Sequence, residues 1–194
     1  MIAVQAHRMR LFFAYWPSPA TAEALVPWVR SAHALCGGRM MRTDTLHMTL
    51  AFLGTADEAA ARALAQACAG WRLPSGSMTL REPGRFRNAK VVWLGPDQSH
   101  PAALEWLYEA NRRLWAYLAP LGWAPRELGY RPHVSLLRNA GVADLGRLRG
   151  PEVVWMPERC VLVASSPSAT GSRYTMLAEI PLEAGSGGGE QGSA

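Results

Sequence analysis

Two short stretches of the chain pair a histidine with a hydroxyl two residues later: His47-Met48-Thr49 and His133-Val134-Ser135. In an extended strand, residues two apart project from one face, roughly 6.6 Å apart along the chain. Each stretch therefore presents an imidazole beside a hydroxyl. Met48 and Leu50, and likewise Val134 and Leu136, turn the other way into a core. Facing one another, the two stretches would enclose a volume the size of a phosphate. Opening a cyclic phosphodiester needs a base to activate water and an acid to protonate the departing ribose oxygen. Histidine is the side chain that serves as either near neutral pH. Hydroxyls and guanidinium groups can donate to the phosphate oxygens without competing for that proton. Arg138, five residues after His133, lies near the end of the same strand, within reach of the cleft mouth.

As a bare pattern this is weak. With 20 serines and threonines among 194 residues, each histidine has about a one-in-ten chance of a hydroxyl two places on. Two hits among the five histidines would arise by accident in somewhat under about one sequence in ten. His7, His33 and His100 show none. A lone strand histidine is more often a core or surface residue than a catalyst, so the setting of the pair has to carry the argument.

Periodicity and punctuation predict an alternation of strands and helices. Residues 10–16 read as an apolar strand stopped by Pro17 and Pro19. A helix over 20–35 puts Ala24, Leu25, Trp28, Val29 and Ala32 on one face, with a kink or later start possible at Pro27. A strand over 47–53 closes at Gly54, and Asp57 or Thr55 caps an alanine-rich helix to about Trp71. Another strand begins over 77–80. The second half repeats the order: a strand over 90–94, a helix over 101–118, a strand over 133–137, and a short helix near 142–148. Strands over 161–164 and 174–180 end it. Each half is thus strand, helix, then a strand opening with His-x-Ser/Thr, and the two histidines lie 86 positions apart. This is a two-fold duplication. It predicts two similar lobes whose histidine strands face each other across a cleft.

Bulk properties fit. A hydrophobic fraction of 49% is ample for a core. No apolar run approaches the roughly 18 residues of a membrane span, and the start lacks the pattern of a signal peptide. The expected location is therefore cytoplasmic, with no membrane partner. Cys36, Cys68 and Cys160 have no metal-ligand spacing and read as reduced, buried thiols. The net charge is +5, and 19 of the 20 basic residues are arginine, Lys90 being the exception. That leans weakly toward an anionic partner. Residues 1–9 are expected to be flexible, 10–183 to form one bilobal domain, and the glycine- and serine-rich tail 184–194 to be disordered.

The residues resemble the 2H phosphoesterases, and within them the RNA 2′,3′-cyclic phosphodiesterases historically named 2′-5′ RNA ligases. The resemblance runs through RLFFA at 10–14, LHMTLAFLG at 46–54, VVWLG at 91–95 and RPHVSLLR at 131–138. It ends with ASS at 164–166, Arg173, Tyr174 and Leu177. It implies an α+β fold with pseudo-two-fold symmetry, two antiparallel sheets lining a central cleft and helices outside. It also implies no cofactor and no metal. The implied activity is hydrolysis of RNA 2′,3′-cyclic phosphate ends to 2′-phosphomonoesters. His47 matches the general acid, His133 the general base, Thr49 and Ser135 the phosphate-binding hydroxyls, and Arg138 the basic residue after the second motif. Ser135 stands where threonine is commoner, which keeps the hydroxyl. Val163 stands where an aromatic often precedes the small-residue segment.

Phe13 and Tyr130 are the aromatics next suspected of contacting a nucleobase, each at least as readily read as plain core. Arg81, Arg85, Arg87 and Lys90 form a basic cluster read either as an RNA guide or as a solvated loop. The expected partner is RNA with a cyclic phosphate end, and the chain is expected to act as a monomer. Competing readings are 2′-5′ ligation, hydrolysis of another cyclic or 2′-5′-linked nucleotide, and a non-catalytic RNA-binding module. A metallohydrolase would have to draw on Asp44, Asp57 or Glu127.

Overall fold

The computed structural model describes residues 8–125, 129–168 and 171–183. Most of the N-terminal segment, Glu127 and the tail from 184 onward lie outside them. The opening apolar run forms β1 (Met9–Tyr15), one residue earlier than expected, and gives way at Pro17. Ser18 caps α1 (Pro19–Cys36) by accepting a hydrogen bond from the Thr21 N–H at 3.2 Å. Pro19 occupies the first turn, where its missing N–H is no loss. Pro27 lies inside α1 without ending it, and Leu25, Trp28, Val29 and Ala32 form the buried stripe that the periodicity predicts, while Ala24 is exposed and Ala22 is buried. There follow β2 (Arg39–Met40), a 3-10 turn over Thr43–Thr45, and β3 (Met48–Ala56). His47 therefore sits just ahead of its strand. Asp57 caps α2 (Glu58–Ala67) through the Ala60 N–H at 2.8 Å, and β4 (Leu73–Pro74) closes this half.

The second half opens with a hairpin of β5 (Met78–Phe86) and β6 (Val91–Pro96). Arg81 and Arg85 are thus strand residues and do not belong to a loop. A 3-10 turn over Pro101–Leu104 leads into α3 (Glu105–Leu118), and β7 (Val134–Arg138) carries the second motif. The helix expected near 142–148 is only a 3-10 turn over Leu145–Arg147, begun by Asp144 accepting from the Gly146 N–H. The remaining strands are β8 (Val153–Trp155), β9 (Cys160–Ser168), β10 (Gly171–Ile180) and β11 (Leu182–Glu183). No described helix is long and apolar enough to cross a membrane.

The strands follow the order β10-β9-β1-β3-β7-β6-β5-β8, with β2 beside β7. Two antiparallel four-stranded halves meet at β3 and β7, and a single residue pair, Met48 opposite Val134, joins them. About that joint β3 corresponds to β7, β1 to β6, β9 to β5 and β10 to β8. The sheet is therefore curled, α+β, and pseudo-two-fold. The helices cross over: α1 follows β1 but packs against β7 and β8, while α3 follows β6 but packs against β3 and β4. Trp28 Nε1–H donates to the Pro151 carbonyl at 2.7 Å, tying α1 to the second half.

The large core fills the helix side of this sheet. Leu11, Phe13 and Tyr15 of β1 enter it, each essentially without exposed surface. Phe12, Ala14 and Trp16 project from the other face into a smaller cluster with Val161, Val163 and Tyr174.

Candidate active site

The strand registers break at matching places. Ala14 lies opposite Thr49 and Phe13 opposite Ala51, leaving Leu50 unpaired. Trp93 lies opposite Ser135 and Val92 opposite Leu137, leaving Leu136 unpaired. Each is the extra residue of a β-bulge, which shifts the alternation of faces by one. Leu50 and Ala51 are both buried, as are Leu136 and Leu137. Phe52 and Arg138 then emerge on the opposite face and are exposed. A regular strand would have turned Arg138 away from His133 and Ser135; the bulge brings it round to their side. The bulged carbonyls are satisfied from outside the ladder. Asn111 Nδ2 donates to the Leu50 carbonyl at 2.7 Å, and the Met41 N–H donates to that of Leu136 at 2.9 Å.

Met48 and Val134 are fully buried on the core side of the joint. Continuing their antiparallel register one step either way sets His47 across from Ser135 and Thr49 across from His133. All four side chains share the face away from the core. The two histidines are held alike. His47 Nδ1–H donates to the Thr45 carbonyl at 2.7 Å, and His133 Nδ1–H donates to the Arg131 carbonyl at 2.8 Å. A carbonyl can only accept, so each imidazole carries its proton on Nδ1 and leaves Nε2 for chemistry. The hydroxyls of Thr49 and Ser135 are half-buried and make no hydrogen bond among the described residues.

Aromatic rings set the electrostatics. Phe12 (centroids 5.0 Å, planes 25° apart) and Trp16 (5.1 Å, 7°) stack on His47, and Tyr174 meets its edge at 5.6 Å. Desolvation by these rings pushes the His47 pKa down to about 4, with the charges of His133 and Arg138 adding to the effect. The hydrogen bond to Thr45 opposes it. Phe86 (4.8 Å, 81°) and Trp93 (5.9 Å, 54°) flank His133. The Trp93 indole lies over Gly84, where any Cβ would collide with the ring. Burial also lowers the His133 pKa, opposed by the hydrogen bond to Arg131 and reinforced by Arg138 and Arg131. Arg138 thus acts on both imidazoles. Burial thus disfavours the charged form of both imidazoles in the free protein, His47 the more strongly of the two by its pKa of about 4.

Phe13 and Tyr130 are not at this face. Phe13 lies in the large core beside Trp71 (5.9 Å), and Tyr130 packs against the same core beside Tyr108 (5.9 Å). The aromatics at the histidines are instead Phe12, Trp16, Tyr174, Phe86 and Trp93. The run from Leu11 to Trp16 is apolar at every position, so no polar alternation marks which ring faces which side. In the basic cluster, Arg81 pairs with Asp97 (3.5 Å) and Glu152 (4.0 Å), and Arg85 donates to the Gly141 carbonyl. Asp44 is held by Arg42 at 3.0 Å, and Asp57 caps α2. No group of three or more metal-ligating side chains occurs among the described residues. Cys36, Cys68 and Cys160 are free and buried.

The chain is similar to known proteins over nearly its whole length. A family model described as LigT like Phosphoesterase matches residues 16–93. The RNA 2′,3′-cyclic phosphodiesterase of Escherichia coli (strain K12) is 30% identical over 168 residues, covering 87% of this chain and 93% of that protein. The crystal structure of E. coli LigT complexed with 3′-AMP matches with a TM-score of 0.75 at 29% identity, covering 91% of this chain and 99% of the other. That of E. coli LigT complexed with phosphate matches at 0.67 and 28% identity, covering 90% of this chain and 98% of the other.

Proposed function

The chain belongs to the LigT-like phosphoesterases of the 2H superfamily, and from that premise we propose that it hydrolyses RNA 2′,3′-cyclic phosphate ends to 2′-phosphomonoesters. The observation that carries the reading is the mirrored pair of imidazoles. Each is fixed through Nδ1 by the carbonyl two residues before it, with Nε2 left free beside a hydroxyl from the other half.

In the proposed reaction His133 Nε2 takes a proton from water, and the water oxygen attacks phosphorus. The bond from phosphorus to the ribose 3′ oxygen breaks, and His47 Nε2 delivers a proton to that oxygen. The phosphate remains on the 2′ oxygen. Thr49, Ser135 and Arg138 donate to the non-bridging oxygens, where negative charge builds. Because aromatic burial leaves His47 neutral in the free protein, the substrate's own negative charge is what draws a proton onto it. The three buried free thiols support a reducing, cytoplasmic setting. A site assembled from both halves of one chain supports action as a monomer.

The test is an oligoribonucleotide with a 2′,3′-cyclic phosphate end, incubated with the protein and a strong chelator, with the product phosphate located by phosphorus NMR. The reading expects ring opening to the 2′-phosphate. No turnover, or a 3′-phosphate product, overturns it.

A further inference from the structure

Arg39 of β2 lies directly opposite Arg138 of β7. Directly opposed residues of an antiparallel pair point to the same side, and like charges so placed repel. That side is the histidine face, because the Leu136 bulge has turned Arg138 onto it. Neither guanidinium has a carboxylate partner among the described residues, whereas Arg42, Arg62, Arg81, Arg112 and Arg113 each do. The local backbone is shaped to hold this repulsive pair. Gly38, at φ +84°, lets the chain leaving α1 come so close to β7 that an added Cβ would stand 2.8 Å from the Arg138 carbonyl oxygen. A fold that sets two unneutralised arginines opposite one another on the face that carries the two histidines and two hydroxyls is complementary to a second anion.

The scissile phosphate belongs between the histidines. With Leu136 bulged, Ser135 to Arg138 covers two ladder steps, roughly 7 Å of strand, the scale of one nucleotide, and Arg39 stands beside Arg138 across the ladder. We propose that Arg39 binds the internucleotide phosphate adjoining the cyclic end, while Arg138 reaches back from beside it to the scissile phosphate. The enzyme thereby discriminates an RNA chain from a mononucleotide. This inference rests on the phosphodiesterase reading and adds to it a specificity-determining residue outside the two motifs.

The experiment compares kcat/KM for a nucleoside 2′,3′-cyclic phosphate with that for a dinucleotide ending in the same group, for the wild type and for Arg39→Gln. Arg39 is exposed and makes no side-chain hydrogen bond among the described residues, so the variant keeps its fold, which a thermal melt checks. The wild type should prefer the dinucleotide. Arg39→Gln should lose about tenfold on the dinucleotide and stay within about twofold on the mononucleotide. A dinucleotide whose internucleotide linkage is an uncharged methylphosphonate should respond to the substitution like the mononucleotide. Equal loss on both substrates, no loss on either, or a wild type without preference overturns the inference. A wild type that turns over neither substrate overturns the phosphodiesterase reading itself.

Discussion

Leu50 and Leu136 are each the extra residue of a β-bulge one step past a hydroxyl-bearing residue, and the 86-residue offset between the histidines separates the bulges too. The two halves therefore share more than a motif. In each, the hydroxyl faces the cleft, two successive residues are buried, and the third returns to the cleft face. The halves diverge at that third position, which is Phe52 in the first and Arg138 in the second. The third position is thus apolar in one half and cationic in the other.

The bulge at Leu50 depends on a partner from another element. Asn111 on α3 supplies the donor that the ladder does not. Asn111→Leu should leave a buried carbonyl unsatisfied and lower stability by about 1–3 kcal/mol, read from urea denaturation at neutral pH. Because the bulge positions Thr49, kcat/KM should fall as well. A variant of unchanged stability would show that the carbonyl finds another donor.

Stability should depend on pH through His47. Its folded pKa of about 4 lies below the unfolded value of 6.5, so between those values the unfolded chain binds more protons. Stability is then full above pH 6.5 and is lost as pH falls toward 4, by something of order 1–3 kcal/mol. His133, shifted the same way, adds to the same slope. His47→Gln should flatten part of it when unfolding free energies at pH 7.5 and 4.5 are compared. Trp16→Leu should raise the His47 pKa, which the imidazole proton resonances report directly.

The hydroxyls should matter less than the histidines. Thr49→Val and Ser135→Ala each remove one donor to the phosphate, a hydrogen bond to a charged group, and should lower kcat/KM by roughly 10- to 100-fold. Circular dichroism should be unchanged, since neither hydroxyl bonds to a described residue. Loss as large as that of a histidine variant would place a hydroxyl in the proton transfer itself.

The duplicated strand-helix-strand order and the two His-x-Ser/Thr motifs were legible because each is a local pattern: apolar period, proline stops, a hydroxyl two residues on. The joint at Met48 and Val134 is a long-range pairing, which no local pattern encodes; the duplication predicted that the two strands would come together across a cleft, and they lie side by side in one sheet. Phe13 is plain core, the reading favoured for it, while Phe12 and Trp16 at His47 went unmarked for want of alternation in an all-apolar strand. Tyr130 is also core: its ring sits against Tyr108 of α3, a contact set by helix crossing over and invisible along the chain. The bulges did leave a trace, the adjacent apolar pairs Leu50-Ala51 and Leu136-Leu137, which a strict alternation would have split. The Arg39–Arg138 pair had none, because β2 is only two residues long.

The central claim, that His47 and His133 divide the proton transfers, is tested most directly by the leaving group. The measurement is kcat/KM of His47→Ala and His133→Ala on an RNA 2′,3′-cyclic phosphate and on a phosphodiester with an aryl leaving group that needs no protonation. On the RNA end each variant should lose about 10²–10⁴-fold. On the aryl ester His47→Ala should recover most of the wild-type rate, while His133→Ala stays crippled. Either variant near the wild-type rate on the RNA end, or His47→Ala equally crippled on both substrates, contradicts the assignment.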